Sequence, residues 1–312
     1  MDNSALLEQL IAQGRIELGP SGFLKHPPSP MPNDWDFERV EGMLLGLAIG
    51  DALGNTTESM IPTLRKQAYG EIRDYLPNQY ASNRLVGLPS DDSQMAFWTL
   101  EQLLEDKGLV VDHLAKKFSR HQIFGIGSTV KKFLRSYKDD GLSWIQSSQP
   151  SAGNGALMRI APILIPHLRQ PSPLLWADAA LAGTITHNDR ASNACCIAFI
   201  RILWECLQLK QAPDPDWWID TFVETASQLE GKTNYAGQNP DFPYQGPLFQ
   251  FVQREVRQAL RENWSTLEAC DRWHSGAYLL ETIPCVLYIL ARHGHNPQEE
   301  AYGGLQPGCS IH

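Results

Sequence analysis

No apolar run in this chain approaches the ~18 residues that a membrane-spanning helix needs, and its start, Met1-Asp2-Asn3-Ser4, lacks the basic region that opens a secretory signal. A cytoplasmic location is the resulting expectation. Positive charge is also scarce: 26 Lys and Arg against 35 Asp and Glu leave a formal net charge of −9. Bulk binding to nucleic acid or to an anionic membrane needs clustered cations, so any phosphate recognition has to be local. Six cysteines are present, but no two have the C-x-x-C spacing of a zinc or redox site. Most fall in apolar stretches and read as reduced, buried small hydrophobes. Neither a Walker lysine nor a Rossmann glycine triplet after a strand is found, so nucleoside-triphosphate and dinucleotide sites lack their hallmarks.

Alternating β patterns are nearly absent too, and helical periodicity fills the chain. Helices are predicted at about 37–50, 93–105, 110–119, 128–138, 156–168, 174–185, 190–209, 216–230, 247–262 and 276–292. Val110, Leu114 and Phe118 recur at helical spacing, as do Phe249, Val252, Val256 and Leu260, and both sets are assigned to the core. The 43% hydrophobic and 20% charged content is ordinary for a globular protein. The fold class expected is all-α, a single-domain multi-helix bundle. Residues 1–35 read as an N-terminal extension: an amphipathic stretch from Ala5 to Gln13, then Pro27-Pro28-Ser29-Pro30-Met31-Pro32. Four prolines in six residues predict a stiff extended linker. The domain follows at 36–300, and 301–312 is an atypical tail rich in glycine and proline. The loop at 234–247 is long and aromatic, either a cover over a site or a surface connection.

Four polar segments interrupt the apolar pattern. Ser90-Asp91-Asp92-Ser93 places two carboxylates and two hydroxyls where a loop turns into a helix. Such oxygen-rich clusters suit Mg²⁺ or Mn²⁺. Asp91 with Gln94 three residues on also reads as a capping box, and early acids complement a helix dipole. Gly42, Gly46, Gly50 and Gly54 make a strip of small residues on one helix face, read as a close packing surface. Asp51 and Glu58 stand at the polar end of that helix, as site acids or as a solvated exit loop. Gly153-Asn154-Gly155 precedes a predicted helix, and its backbone N–H groups suit an anion or form only a turn. Thr184-Ile185-Thr186-His187-Asn188-Asp189 is a polar knot between helices, in which a histidine is usually a cap or a loop hydrogen-bonder.

Taken in order, EGMLLGLAIGDALGNTTE (41–58), SDDSQMAFWTLEQLLE (90–105), AGNGALMRIAPIL (152–164) and THNDRASNACCIAFIRIL (186–203) resemble the ADP-ribosylglycohydrolase family, with weaker likeness in SGAYLLETIPCVLYIL (275–290). The resemblance implies hydrolysis of an ADP-ribosyl bond to a protein side chain or of a related ADP-ribose conjugate, assisted by Mg²⁺ or Mn²⁺. It implies Glu58, Ser90, Asp91 and Asp92 as metal ligands, with Glu58, Asp91 and Asp92 catalytic. It also implies Gly153, Asn154, Gly155 and His187 at the substrate, and Asp51 as a brace for the Glu58 loop. Breaking a glycosidic bond passes through an oxocarbenium-like state that carboxylates stabilise. The family has threonines where this chain has Ser90 and Ser93. It also closes its site with a C-terminal D-x-D-T motif, whereas this chain has no aspartate after Asp271. A truncated or shifted reading frame, or a lineage without the motif, gives this pattern. The alternative function is therefore a non-catalytic or vestigial ADP-ribose-binding protein with an incomplete metal centre. Glu299 and His295 are the residues that would have to replace the missing ligands.

Overall fold

Helical periodicity is realised through most of the chain in a computed structural model, which describes residues 2–295. The tail 301–312, Glu299 and Cys309 lie outside the described residues. Among the described residues the protein is all-α, with two antiparallel ribbons of two-residue strands, β1 (Pro77–Asn78) with β2 (Arg84–Leu85) and β3 (Tyr235–Ala236) with β4 (Gln245–Gly246). Two compact units can be distinguished. The first comprises residues up to 45, 90–208 and 224–231; the second comprises 46–89, 209–223 and the residues from 232.

The first unit is built around α8 (Leu174–Thr184) and α9 (Arg190–Cys206). Helix α8 is buried from Leu175 to Thr184 and, apart from Asp178 and Thr184, apolar on every face, as befits a helix at the centre of a core. It packs on α9, and both helices contribute small buried residues to the core, Ala179, Ala180 and Gly183 from α8 and Ala194 and Cys196 from α9. A β-carbon at Gly183 would lie 3.1 Å from the Cys196 sulfur, so glycine is what permits this approach. Helices α4 (Asp91–Asp106), α5 (Val111–Arg120) and α6 (Ser128–Leu134) add Met95, Leu114, Phe118 and Phe133 to the core.

The N-terminal extension belongs to this first unit. Helix α1 (Asn3–Ala12) is fastened to α8 by Asn3, whose amide donates to Asp178 at 2.6 Å. Asp178 in turn holds the buried His167 at 2.9 Å. The proline segment is laid along the helices: the indole N–H of Trp176 donates to the His26 carbonyl at 2.7 Å, and that of Trp204 to the Ser29 carbonyl at 2.8 Å.

In the second unit α11 (Leu248–Arg261) and α12 (Thr266–Trp273) pack on α13 (Leu279–His293), and α12 also meets α3 (Pro62–Tyr69). The seam of α11 is Leu248, Phe251, Val252, Val256 and Ala259. The predicted Phe249 and Leu260 flank that seam and are half-buried. Val110 likewise falls one residue before α5 and is exposed. The loop at 234–247 carries the β3–β4 ribbon and walls a cavity of about 200 Å³ with Arg254, Arg272 and Trp273.

Other departures have local causes. Residues 157–159 and 161–167 are 3-10 rather than α-helix, because Pro162 and Pro166 withdraw N–H donors and crowd the preceding turn. The helix expected at 128–138 opens into a π turn at Arg135–Asp139. Among the described residues nothing lies within 4 Å of a β-carbon built at Gly42, Gly46 or Gly50, so the close packing expected of the strip is not seen at these three positions. Cys195, Cys196, Cys206 and Cys285 are free thiols, the first two and Cys285 buried as expected and Cys206 half-buried.

The indole anchors give a direct test of how the extension is held. Trp176→Phe keeps the ring against Phe23 (centroids 4.9 Å apart) but leaves the His26 carbonyl without its donor. The expected cost is ~1–2 kcal/mol in urea denaturation, with faster amide exchange confined to residues around 22–32.

Candidate functional site

The chain reaches α4 through an extended residue, Ser90, and Asp91 and Asp92 form the first turn, where the helix dipole favours negative charge. All four residues Ser90–Ser93 are buried, with Asp91 8% and Asp92 7% exposed. The Ser90 hydroxyl donates to Asp92 at 3.3 Å and makes no capping bond to the helix backbone. The predicted capping box is not formed: Gln94 reaches outward, donating to the Gln122 carbonyl at 2.9 Å and accepting from the Phe124 N–H at 3.1 Å. These two bonds fold the 121–127 loop over the acids. Gly125 has φ +74°, and a β-carbon there would stand 2.9 Å from an Asp91 carboxylate oxygen.

Asn154, Gly155 and His187 come together in the same unit. A β-carbon on Gly155 would sit 2.8 Å from His187 Cε1 and 3.1 Å from Nε2, so the imidazole rests directly on the glycine backbone. His187 Nδ1 lies 2.9 Å from the Thr186 hydroxyl, which accepts from Arg159 Nη2 at 2.8 Å. Burial, with the Arg159 charge adding to it, pushes the imidazole down to about 3. His187 is therefore neutral at physiological pH. Residues 149 and 186–188 pair as a parallel bridge, Gln149 N–H to the Thr186 carbonyl and Asn188 N–H to the Gln149 carbonyl, which fixes the backbone on both sides of His187.

The anion argument for Gly153–Gly155 loses its helical part. Only the three-residue 3-10 turn Leu157–Arg159 follows, and the Gly153 N–H is directed at the Ser151 hydroxyl at 3.3 Å. What the turn provides is a surface for the His187 ring. The residue that sequence reasoning passed over is Arg159, fully buried at 0% exposure, its guanidinium 4.6 Å from the Phe118 ring centroid. Its signal was a lone cation within the apolar run from Ala156 to Leu164.

Glu58 and Asp51 belong to the second unit. The amide of Asn55 donates to Asp51 at 3.3 Å and to the Leu88 carbonyl at 2.6 Å, while the Asn55 carbonyl accepts from the Glu58 N–H at 3.2 Å. Asp51 thus acts on the Glu58 turn through Asn55. Glu58 is exposed and precedes Ser59, which adopts φ +62°.

Residues 31–303 match the family ADP-ribosylglycohydrolase. The chain belongs to that family. It is 33% identical over 171 residues to an ADP-ribosyl-[dinitrogen reductase] glycohydrolase of Rhodospirillum rubrum, covering 53% of this chain and 57% of that one. It is 28% identical over 215 residues to the ADP-ribosylarginine hydrolase Tri1 of Serratia proteamaculans (63% and 55%), and 28% over 270 residues to YegU of Escherichia coli (81% and 77%). The chain spans little more than half the length of the first two relatives.

For an ADP-ribosylglycohydrolase the donor set is sparse. Among the described residues no group of three or more His, Cys, Asp or Glu side chains is arranged to hold a metal ion. The described residues by themselves therefore do not make up a complete divalent centre.

Two outcomes follow from this geometry. Gly125→Ala forces a side chain into a left-handed conformation against Asp91 and is expected to cost ~1–3 kcal/mol in chemical denaturation. His187 binds its proton in the unfolded chain near pH 6.5 but in the folded protein only near 3. The unfolded state holds more protons between those values, so this contribution is complete above about pH 6.5 and falls by ~1.4 kcal/mol per unit of acidification down to about pH 3. His187→Gln should flatten that part of the stability–pH curve.

Proposed function

We propose that this protein binds ADP-ribose, or an ADP-ribose conjugate of a protein, with a hydrolytic centre that is incomplete in the described residues. The observation that carries the reading is the neutral His187 seated on Gly155, in a chain of this family whose described residues group no three metal ligands. In this reading Asn154 and His187 supply uncharged hydrogen-bonding groups beside the ribose, and the Gly153–Gly155 backbone leaves room for it. Asp91 and Asp92 supply the negative charge that an oxocarbenium-like ribose requires, while Glu58 is a separate candidate acid in the second unit. Ser90 belongs with the acids through its bond to Asp92. The relatives' names extend the proposal to ADP-ribosylated arginine as the conjugate. No helix among the described residues is long and apolar enough to cross a membrane, and we place the protein in the cytoplasm.

The enzyme reading is favoured by the buried Asp91–Asp92 pair, which one Mg²⁺ or Mn²⁺ would recruit weakly, since such ions retain several waters when few carboxylates hold them. Calorimetry with ADP-ribose and with each ion, beside a hydrolysis assay on ADP-ribosyl-arginine, separates the two. The expected result is ADP-ribose binding that His187→Gln weakens about tenfold, equivalent to ~1.4 kcal/mol, weak uptake of close to one ion, and little turnover. Two tightly bound ions with rapid turnover would establish the hydrolase instead.

A further inference from the structure

The segment between α1 and the proline run makes bonds that its position ahead of the family-matched residues does not explain. Ile16 and Leu18 are buried at 4% and 2% exposure, so the irregular stretch from Arg15 to Gly19 is anchored by alternate side chains. Its backbone is read by two asparagines. Asn188 donates from Nδ2 to the Arg15 carbonyl and accepts at Oδ1 from the Glu17 N–H, both at 2.8 Å. Asn193 donates to the Glu17 carbonyl at 2.8 Å and accepts from the Thr184 hydroxyl at 3.0 Å. Glu17 also pairs with Arg190 at 3.1 Å. At the far end the Gly19 N–H donates to the Leu229 carbonyl at 2.7 Å, so close that a β-carbon at Gly19 would stand 2.6 Å from that oxygen.

These contacts bracket His187. Thr184 and Asn188 flank it in sequence, and both are connected to the segment, Asn188 directly and Thr184 through Asn193. We propose that Arg15–Gly19 is a positioning strap: through Asn188 and Asn193 it fixes the Thr184–Asn188 turn and so keeps the His187 ring on Gly155. The proposal rests on the ADP-ribose reading for its functional consequence, but not for its structural one. An amide that both donates to and accepts from one backbone fixes orientation as well as distance. Both bonds lie in an exposed position where water can replace the lost partner, so their loss costs the orientation of the turn more than stability, and a surface ion pair fixes no such orientation. Glu17–Arg190, largely exposed, is accordingly a minor contributor.

The test uses the full chain with Asn188→Leu, which removes both bonds at similar volume, Asn188→Asp, which keeps the acceptor for the Glu17 N–H, and Glu17→Gln, which weakens only the ion pair. Without ligand, the His187 ring signals in ¹H–¹⁵N spectra and amide exchange at Thr186 and His187 report the turn; titration with ADP-ribose reports the site. Asn188→Leu should shift the His187 ring signals, speed exchange at 186–187 and weaken ADP-ribose about tenfold, or ~1.4 kcal/mol. Asn188→Asp should recover part of each change, and Glu17→Gln should leave all three near wild type. Unchanged His187 signals in a folded Asn188 variant overturn the strap, even where affinity falls. If Asn188→Leu does not fold, the Asn188→Asp spectrum decides alone. Failure of the wild-type protein to bind ADP-ribose overturns the functional reading, while the His187 signals still judge the strap.

Discussion

A cation without a carboxylate organises the polar end of the first unit. Arg159 is fully buried, and burial draws its guanidinium down to about 10, still charged at neutral pH. A charge in that position has to be satisfied by dipoles. One amino group serves the carbonyl of Ala182 at 3.1 Å and the Thr186 hydroxyl, while the plane lies over Phe118. Nε and Nη1 have no hydrogen-bond partner among the described residues, which marks the place as costly. The return is geometric. The end of α8 and the turn after it are drawn to one point, and a second positive charge on His187 is disfavoured beside the first. The neutral imidazole is thus a consequence of Arg159 as well as of burial.

The same turn receives restraint from three directions. Gln149 pairs with it as backbone, Arg159 holds Thr186 from the core, and Asn188 carries it to the N-terminal segment. Each restraint acts on a residue adjoining His187 or next but one to it. Such redundancy fits a side chain whose ring must stay in contact with a glycine, since a short displacement would open that contact. The acids at α4 are held differently, by a glycine in the left-handed region that allows a loop to close over them.

Much of the helical framework was legible because apolar residues recur with helical period, and boundaries such as those of α8 and α11 came within a few residues. What escaped had physical reasons. Helices α3 and α12 are each eight residues long, too short for periodicity, although the Ser265–Glu268 capping box marks the start of the second. The stretch after Gly155 carries a helical hydrophobic pattern, but two prolines override it. Gln94 stands at capping-box spacing yet serves a loop thirty residues away, a choice that tertiary contact makes and local sequence does not. The contact of Gly155 with His187 joins two motifs distant in sequence, each read separately as a common turn or loop feature. Arg159 escaped because a cation in an apolar run suggests a boundary, whereas here it is the core's own polar centre.

The site's chemistry then turns on which charges are fixed and which are absent. Asp91 and Asp92 are adjacent and buried in one helical turn, where the dipole of α4 favours their charge. A divalent ion would be the natural counter-charge, but hard cations need further oxygens arranged around them. The final aspartate of the sequence, Asp271, belongs to the second unit, where it accepts from the Thr63 hydroxyl at 2.9 Å. The His187 side, by contrast, is built from parts that are all present and mutually restrained. In the proposed reading, recognition of an uncharged ribose and hydrolysis of its glycosidic bond therefore draw on different residues, and the described residues bring together those assigned to the first.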